Sequence, residues 1–399
     1  MSWVSGAEKA TFPKYALALL LLGAVFFVIF GIVGIGRSGE FAFDMPYLYV
    51  AGDIWEKGAS PYSADLFKEA MRGIMGTADG NYAYPPNSSY LSMAFSAGSV
   101  AQAKLMSGIF NTLALICMIG FVWLGSEQSD DSDEFRLGNV LIAGAVILGN
   151  PFAAHVAWMG QTTLISGAFL LCSWYFAERK RDVLAGLFLA LGAFKPQLAI
   201  LVGFWFLLDR RWVLLASAAG GTVLLSAWPM LTSGLQGSWF SWLKGLREYQ
   251  DTVYNVAGFK HLFGIRSGLA NFGVETPTLA PLAVLGVVVL YLQRRAYENC
   301  WLIGAIFCLT FLFVYAHDYD IAPATILAYP LVRAARGNLA LLGTLAVLAC
   351  ILFFPQRIWE AVDLPQFARS REVALLLLLT LYLTLCRAPV WKRGLSRPA

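Results

Sequence analysis

Long apolar runs dominate this chain and decide which solvent it folds in. The first, Tyr15 to Gly36, has no charged residue over about 20 positions, the length at which a helix crosses a hydrocarbon core. Further runs lie at about 105–125, 137–157, 162–177, 183–208, 212–232, 277–293, 300–316, 321–335, 338–354 and 373–387. Backbone amides find no water inside a bilayer, so each run must close its own hydrogen bonds as a helix. The expected fold class is an all-α polytopic membrane protein. With 58% hydrophobic and only 14% charged residues over 399 positions, nothing is left for a soluble domain. We therefore expect one integral membrane domain over residues 1–399. The first run is expected to be a retained helix, since no small-residue cleavage site follows it.

The charge pattern orients these segments. Short clusters at Arg179-Lys180-Arg181, Asp209-Arg210-Arg211, Arg294-Arg295, Arg333 to Arg336 and Arg387 to Arg397 mark cytoplasmic loops, because basic residues are retained there. The run 183–208 conflicts with a single span, since both its flanks want the cytoplasmic side. It is broken at Lys195-Pro196, where proline interrupts a helix and lysine is costly in hydrocarbon. Two short helices, about 183–194 and 198–208, with Lys195 at their tip, resolve the conflict. The count becomes about 12 membrane segments with both termini cytoplasmic. Two long loops then face outward, residues 37–104 and 233–276, and loops of this length usually carry function. DLFKEAMRGIMG in the first should form a short amphipathic helix, Pro85-Pro86 an extended turn, and FSWLKGLREYQ in the second an interfacial helix.

Several chemistries are excluded. A net charge of +4, scattered over loops, offers nucleic acid no basic stripe. The six cysteines lie in apolar runs without CxxC spacing, so zinc and disulfide frameworks are unsupported. There is no Walker A loop, no HExxH and no GxGxxG after a strand, and the reading calls for no metal or cofactor.

What remains is a set of polar residues expected on the outer side. Asp44 stands among Phe41, Phe43 and Tyr47 just after the first span; it is either a cap or a partly desolvated general base. Asp53, nine residues on, reads first as a cap and only second as a base. Lys195 is too far from either flank to snorkel, and a phosphate or carboxylate partner would explain it. His317, Asp318 and Asp320 form HDYD at the end of a span, either as a satisfied cap or as donors to a phosphate or sugar hydroxyl. Gln161 after HVAWMG, and Tyr84 and Asn87 around Pro85-Pro86, are weak alone and gain meaning only by meeting the others. His155 and His261 are assigned to structure.

These residues carry a resemblance. FD-x-x-Y-x-x-A-G at Asp44, G-x-x-P-Y at Gly58 to Tyr62, Y-x-Y-P-P at Tyr82 to Pro86, G-Q at Gly160-Gln161, K-P at Lys195-Pro196 and H-x-Y-D at His317 to Asp320 resemble glycosyltransferase family 87. That family belongs to the GT-C superfamily and includes mycobacterial polyprenyl-phosphate-mannose-dependent mannosyltransferases. The resemblance implies a multi-pass protein of the bacterial inner membrane with its active site on the extracytoplasmic, cell-envelope face. It implies a polyprenyl-monophosphate sugar donor and a glycolipid or glycan acceptor, with Asp44 as general base and His317 at the donor phosphate or acceptor. Lys195 as a phosphate ligand, with Gln161, Tyr84, Asn87, Asp318 and Asp320 as further substrate contacts, completes the expected site. A transporter or flippase of lipid-linked sugars is the competing reading, because broken helices mark midplane sites; it would need a second matching break, which the sequence lacks. A non-catalytic scaffold leaves Lys195 and HDYD without a reason.

Overall fold

The computed structural model describes residues 6–76, 80–128, 131–354, 359, 361–364, 367 and 369–387. The basic tail residues Lys392, Arg393 and Arg397 lie outside these, as does most of 355–368. In chain order the helices are α1 (Gly6–Ser38), α2 (Met45–Glu56), α3 (Ala64–Met75), α4 (Ser89–Ser96), α5 (Val100–Ser126), α6 (Asp133–Gly149), α7 (Pro151–Met159) and α8 (Thr163–Glu178). Next come α9 (Asp182–Gly192), α10 (Pro196–Leu208), α11 (Trp212–Leu225), α12 (Ala227–Leu235), α13 (Ser241–Gln250) and α14 (Ile265–Asn271). The remaining described helices are α15 (Ala280–Leu292), α16 (Asn299–Phe313), α17 (Ala328–Ala334), α18 (Leu339–Phe353) and α19 (Ser370–Leu385). Among the described residues, strand structure is confined to Leu262–Phe263 and Ala316–His317.

Two described helices are long and apolar enough to cross a membrane alone, Phe12–Ser38 and Val100–Ser126; bent pairs raise the number to as many as four. The protein is thus an all-α, multi-pass membrane protein with many shorter apolar helices. Three runs expected to be unbroken are broken, each for a local reason, so Lys195-Pro196 is not the single break that the sequence suggests. At 137–157 the chain bends where Pro151 holds Asn150 extended, and Asn150 Oδ1 accepts the Ala153 N–H at 2.8 Å to start α7. At 212–232, Trp212–Leu225 and the segment Ala227–Gln250 meet at 65°, where Pro229 has no N–H to offer the Leu225 carbonyl. Ser89 Oγ donates to that carbonyl instead, at 2.9 Å. At 321–335, Pro323 sits in a tight 3₁₀ run, Asp318–Leu327, and regular helix begins only at Ala328.

The chain divides into two compact units, one of residues 1–30, 115–154 and 263–399, the other of 31–114 and 155–262. In the second, loop 37–104 is largely helical. Helix α2 packs on α4, and a Cβ on Gly52 would stand 2.1 Å from the Ser92 carbonyl oxygen, so only glycine permits that approach. The amphipathic segment forms α3, seating Phe67 and Met71 inward.

The broken run 183–208 forms α9 and α10 with a gap at Ala193–Lys195. Helix α9 lies between α8 and α11. Its end is satisfied by side chains: Asn87 Nδ2 donates to the Ala190 carbonyl at 3.2 Å, the Tyr90 hydroxyl to Leu191 at 3.0 Å, and Ser166 Oγ to Gly192 at 2.7 Å. A buried helix end needs such partners. Pro196 then starts α10 at the position where its missing N–H costs nothing.

Candidate functional site

The site is built where the end of α7 meets the chain leaving α1. The N–H groups of Ala42 and Asp44 donate to the carbonyls of Trp158 and Met159, each at 2.7 Å, closing the C-terminal end of α7. Gly160 follows with φ +76°, and a Cβ there would lie 2.9 Å from the Cβ atoms of both Ala42 and Met45. Only glycine meets both demands, so the glycine of the Gly-Gln pair fixes where its glutamine points.

Gln161 Nε2 donates to Asp44 Oδ2 at 2.6 Å. Its Oε1 accepts from the Tyr84 hydroxyl at 3.3 Å, and that hydroxyl accepts from Thr162 Oγ1 at 3.1 Å. From α5, the fully buried Asn111 donates through Nδ2 to the Gln161 carbonyl at 3.0 Å. Tyr84 is held in turn by the Tyr62 hydroxyl, which donates to its carbonyl at 2.7 Å, and by ring contacts to Tyr82 and Phe194. Burial pushes the Tyr62 and Tyr82 phenols up, so both remain protonated.

Asp44 lies outside the membrane-spanning helices. Loss of water raises its carboxyl from the ordinary 3.8 to about 6, and the Gln161 bond and the Lys195 charge hold it below where burial alone would leave it. A carboxylate tuned into that range is ionised at neutral pH yet a stronger base than one in water. Lys195, 5% exposed, stands just ahead of α10 and donates to Thr163 Oγ1 at 2.6 Å. Asp44, Gln161, Tyr84 and Thr162 are therefore one hydrogen-bonded group, and the Lys195 charge acts on Asp44 beside it. Asn87 is buried and spends its amide on the end of α9. Asp53 pairs with Lys57 at 2.7 Å along α2. His155 stacks on Trp158 and His261 lies edge-on to Phe259.

The HDYD residues belong to the other unit. His317 Nε2 shares a hydrogen bond with the Tyr315 hydroxyl at 2.8 Å, and its ring stacks on Tyr319. Asp320 Oδ2 accepts the His317 N–H at 3.0 Å, half of a reciprocal cap that starts the 3₁₀ run. Asp318 is buried and faces Arg371 at 3.5 Å, and Arg369 pairs with Glu372 at 3.2 Å. Sequence reasoning passed over Arg369, Arg371, Glu372, Asn111 and Thr163. An arginine, a glutamate or an asparagine inside or at the edge of an apolar run was the available signal.

No curated protein and no solved structure matches the chain. The family model of glycosyltransferase family 87 matches residues 82–316, more than half of the chain. The matched stretch contains Tyr84, Asn87, Asn111, Gln161 and Lys195, whereas Asp44 precedes it and His317 follows it. A membrane-embedded chain with this match belongs to glycosyltransferase family 87 and is a membrane glycosyltransferase.

Proposed function

We propose that the protein moves a hexose, mannose in the first instance, from a polyprenyl-monophosphate donor to a glycolipid or glycan acceptor on the extracytoplasmic face of the bacterial inner membrane, with Asp44 as general base. The observation that carries this reading is the Asp44 carboxylate: desolvated, bonded by Gln161 and within the field of Lys195. In the reaction an acceptor hydroxyl gives its proton to Asp44 while its oxygen bonds to the anomeric carbon. The bond from that carbon to the phosphate oxygen breaks, and polyprenyl phosphate departs carrying one more negative charge. Lys195 is the cation we assign to that developing charge. A single direct displacement inverts the anomeric carbon, the reverse of inverting glycoside hydrolysis. Loop 37–104, which supplies Asp44 and Tyr84, and loop 233–276 face the acceptor in this reading.

Membranes expressing wild type, Asp44→Asn and Lys195→Ala, supplied with polyprenyl-phosphate [¹⁴C]mannose, provide the test. Label should enter a new glycolipid with wild type alone. Transfer by Asp44→Asn at the wild-type rate removes that residue as the base. Movement of labelled donor across the bilayer without transfer would favour a flippase.

A further inference from the structure

Gln161 is held at every polar point. Its N–H donates to the Val156 carbonyl at 3.0 Å, its carbonyl accepts from Asn111, and Gly160 fixes the backbone just before it. Both amide ends are engaged as well, Oε1 by Tyr84 and Nε2 by Asp44. This sets the orientation of the amide, because a carboxylate accepts only from the NH₂ end. Each end of the side-chain amide thus spends a hydrogen bond on the site's own residues, Nε2 on the carboxylate read as the base and Oε1 on the tyrosine beside it.

We infer that Gln161 is a positioning residue for Asp44: through Nε2 it fixes Oδ2, and so assigns proton uptake to Oδ1. The inference rests on the reading of Asp44 as the base. A base held by one oxygen keeps the other in a single place relative to the acceptor hydroxyl, which matters because misplacement by about 1 Å can cost a factor of 10². The same bond favours the ionised form, so its loss leaves a weaker hold on the charge. Of the ionisable groups on the elements that frame Asp44, Lys195 acts on it directly. Glu40 and Lys104 pair with each other, His155 stacks on Trp158, Tyr47 stacks on Phe67, and Tyr84 reaches Asp44 through Gln161.

The test reads Asp44 without needing the sugar donor. Dicyclohexylcarbodiimide modifies protonated carboxyls in apolar surroundings, and modification of Asp44 against pH can be followed by mass spectrometry on the purified full chain. Wild type should show a midpoint of about 6. Gln161→Leu should move it upward, and a one-unit rise increases modification at pH 7 about fivefold. Gln161→Glu, nearly the same shape, should move it further, because two carboxyls then share one proton. In the transfer assay Gln161→Leu should lower kcat by roughly 10- to 100-fold with donor KM within about twofold. An unmoved midpoint in both variants, or a raised donor KM at unchanged kcat, overturns the inference. Transfer surviving in Asp44→Asn would instead defeat the reading of Asp44 as base, and the labelling result would stand apart from it.

Discussion

Gly160 packs so closely on Ala42 that a side-chain carbon on the glycine would stand 2.9 Å from the alanine Cβ. The contact joins the end of α7 to the chain that carries Asp44, two residues beyond Ala42. It makes the geometry of the base depend on a residue with no functional group.

Gly160→Ala should therefore damage catalysis as well as stability. Left-handed backbone at φ +76° costs alanine about 1–2 kcal/mol, and overpacking adds a similar amount. The displaced Gln161 would release Asp44, so transfer should fall at least tenfold in protein that still folds. Thermal unfolding in detergent beside the labelled-transfer assay separates the two effects. Full transfer with a lowered unfolding midpoint would show that the contact serves the fold alone.

Asp44→Asn should stabilise the protein, with a pH signature. The carboxyl titrates at about 6 in the fold against an ordinary 3.8. A carboxyl raised on folding contributes its full stability below the unfolded value and loses it as pH rises through the folded one. From about pH 4 to 6 the wild type should lose on the order of 3 kcal/mol from this group. Asparagine still accepts the Gln161 bond and carries no charge, so the unfolding midpoint of Asp44→Asn should exceed that of wild type at pH 7.5 and match it near pH 4. Equal midpoints across that range would mean that the carboxylate is well hydrated.

Lys195 should matter through its charge. Lys195→Met keeps the apolar stem, removes the cation from both Asp44 and the departing phosphate, and should lower transfer roughly 10²-fold. It should also move the carbodiimide midpoint of Asp44 upward, since the Lys195 charge now holds it down. Thr163→Val removes only the hydroxyl that Lys195 bonds at 2.6 Å and should cost less than about tenfold. A Lys195→Met enzyme with an unchanged midpoint would place the ammonium too far from Asp44 to share its site.

The sequence was most readable where a residue broke a strong pattern. Lys195-Pro196 interrupts an apolar run, and the structure puts a helix break there; DLFKEAMRGIMG has a steep apolar face and forms α3. Breaks with a quieter signal were missed, because Pro151, Pro229 and Pro323 lie in runs whose average hydropathy reads as one span. Tertiary contacts rescue the carbonyl that Pro229 strands, and a window of sequence cannot show the Ser89 hydroxyl that does so. The link from Asp44 to Gln161 joins positions 117 apart, beyond any local pattern. Gly160-Gln161 hinted at it only as a motif, and the physical reason for its glycine is visible only in the packing.

Arg371, between the apolar runs 338–354 and 373–387, is 2% exposed and faces Asp318 at 3.5 Å at the start of α19. Removing one partner of such a pair leaves an uncompensated charge away from water and costs about 3–5 kcal/mol. Arg371→Met should lower the unfolding midpoint strongly, and Asp318→Asn less so, because asparagine is neutral and keeps a polar contact. Combining the two removes both charges together, and the double variant should recover much of the loss of Arg371→Met. The coupling in this cycle should fall in the range of about 0.5–3 kcal/mol. Additive losses would show that Arg371 is balanced chiefly by Glu372, and the cycle repeated with Glu372→Gln would then carry the coupling. Either result locates the countercharge that holds the HDYD segment against α19, and with it the His317 ring stacked on Tyr319.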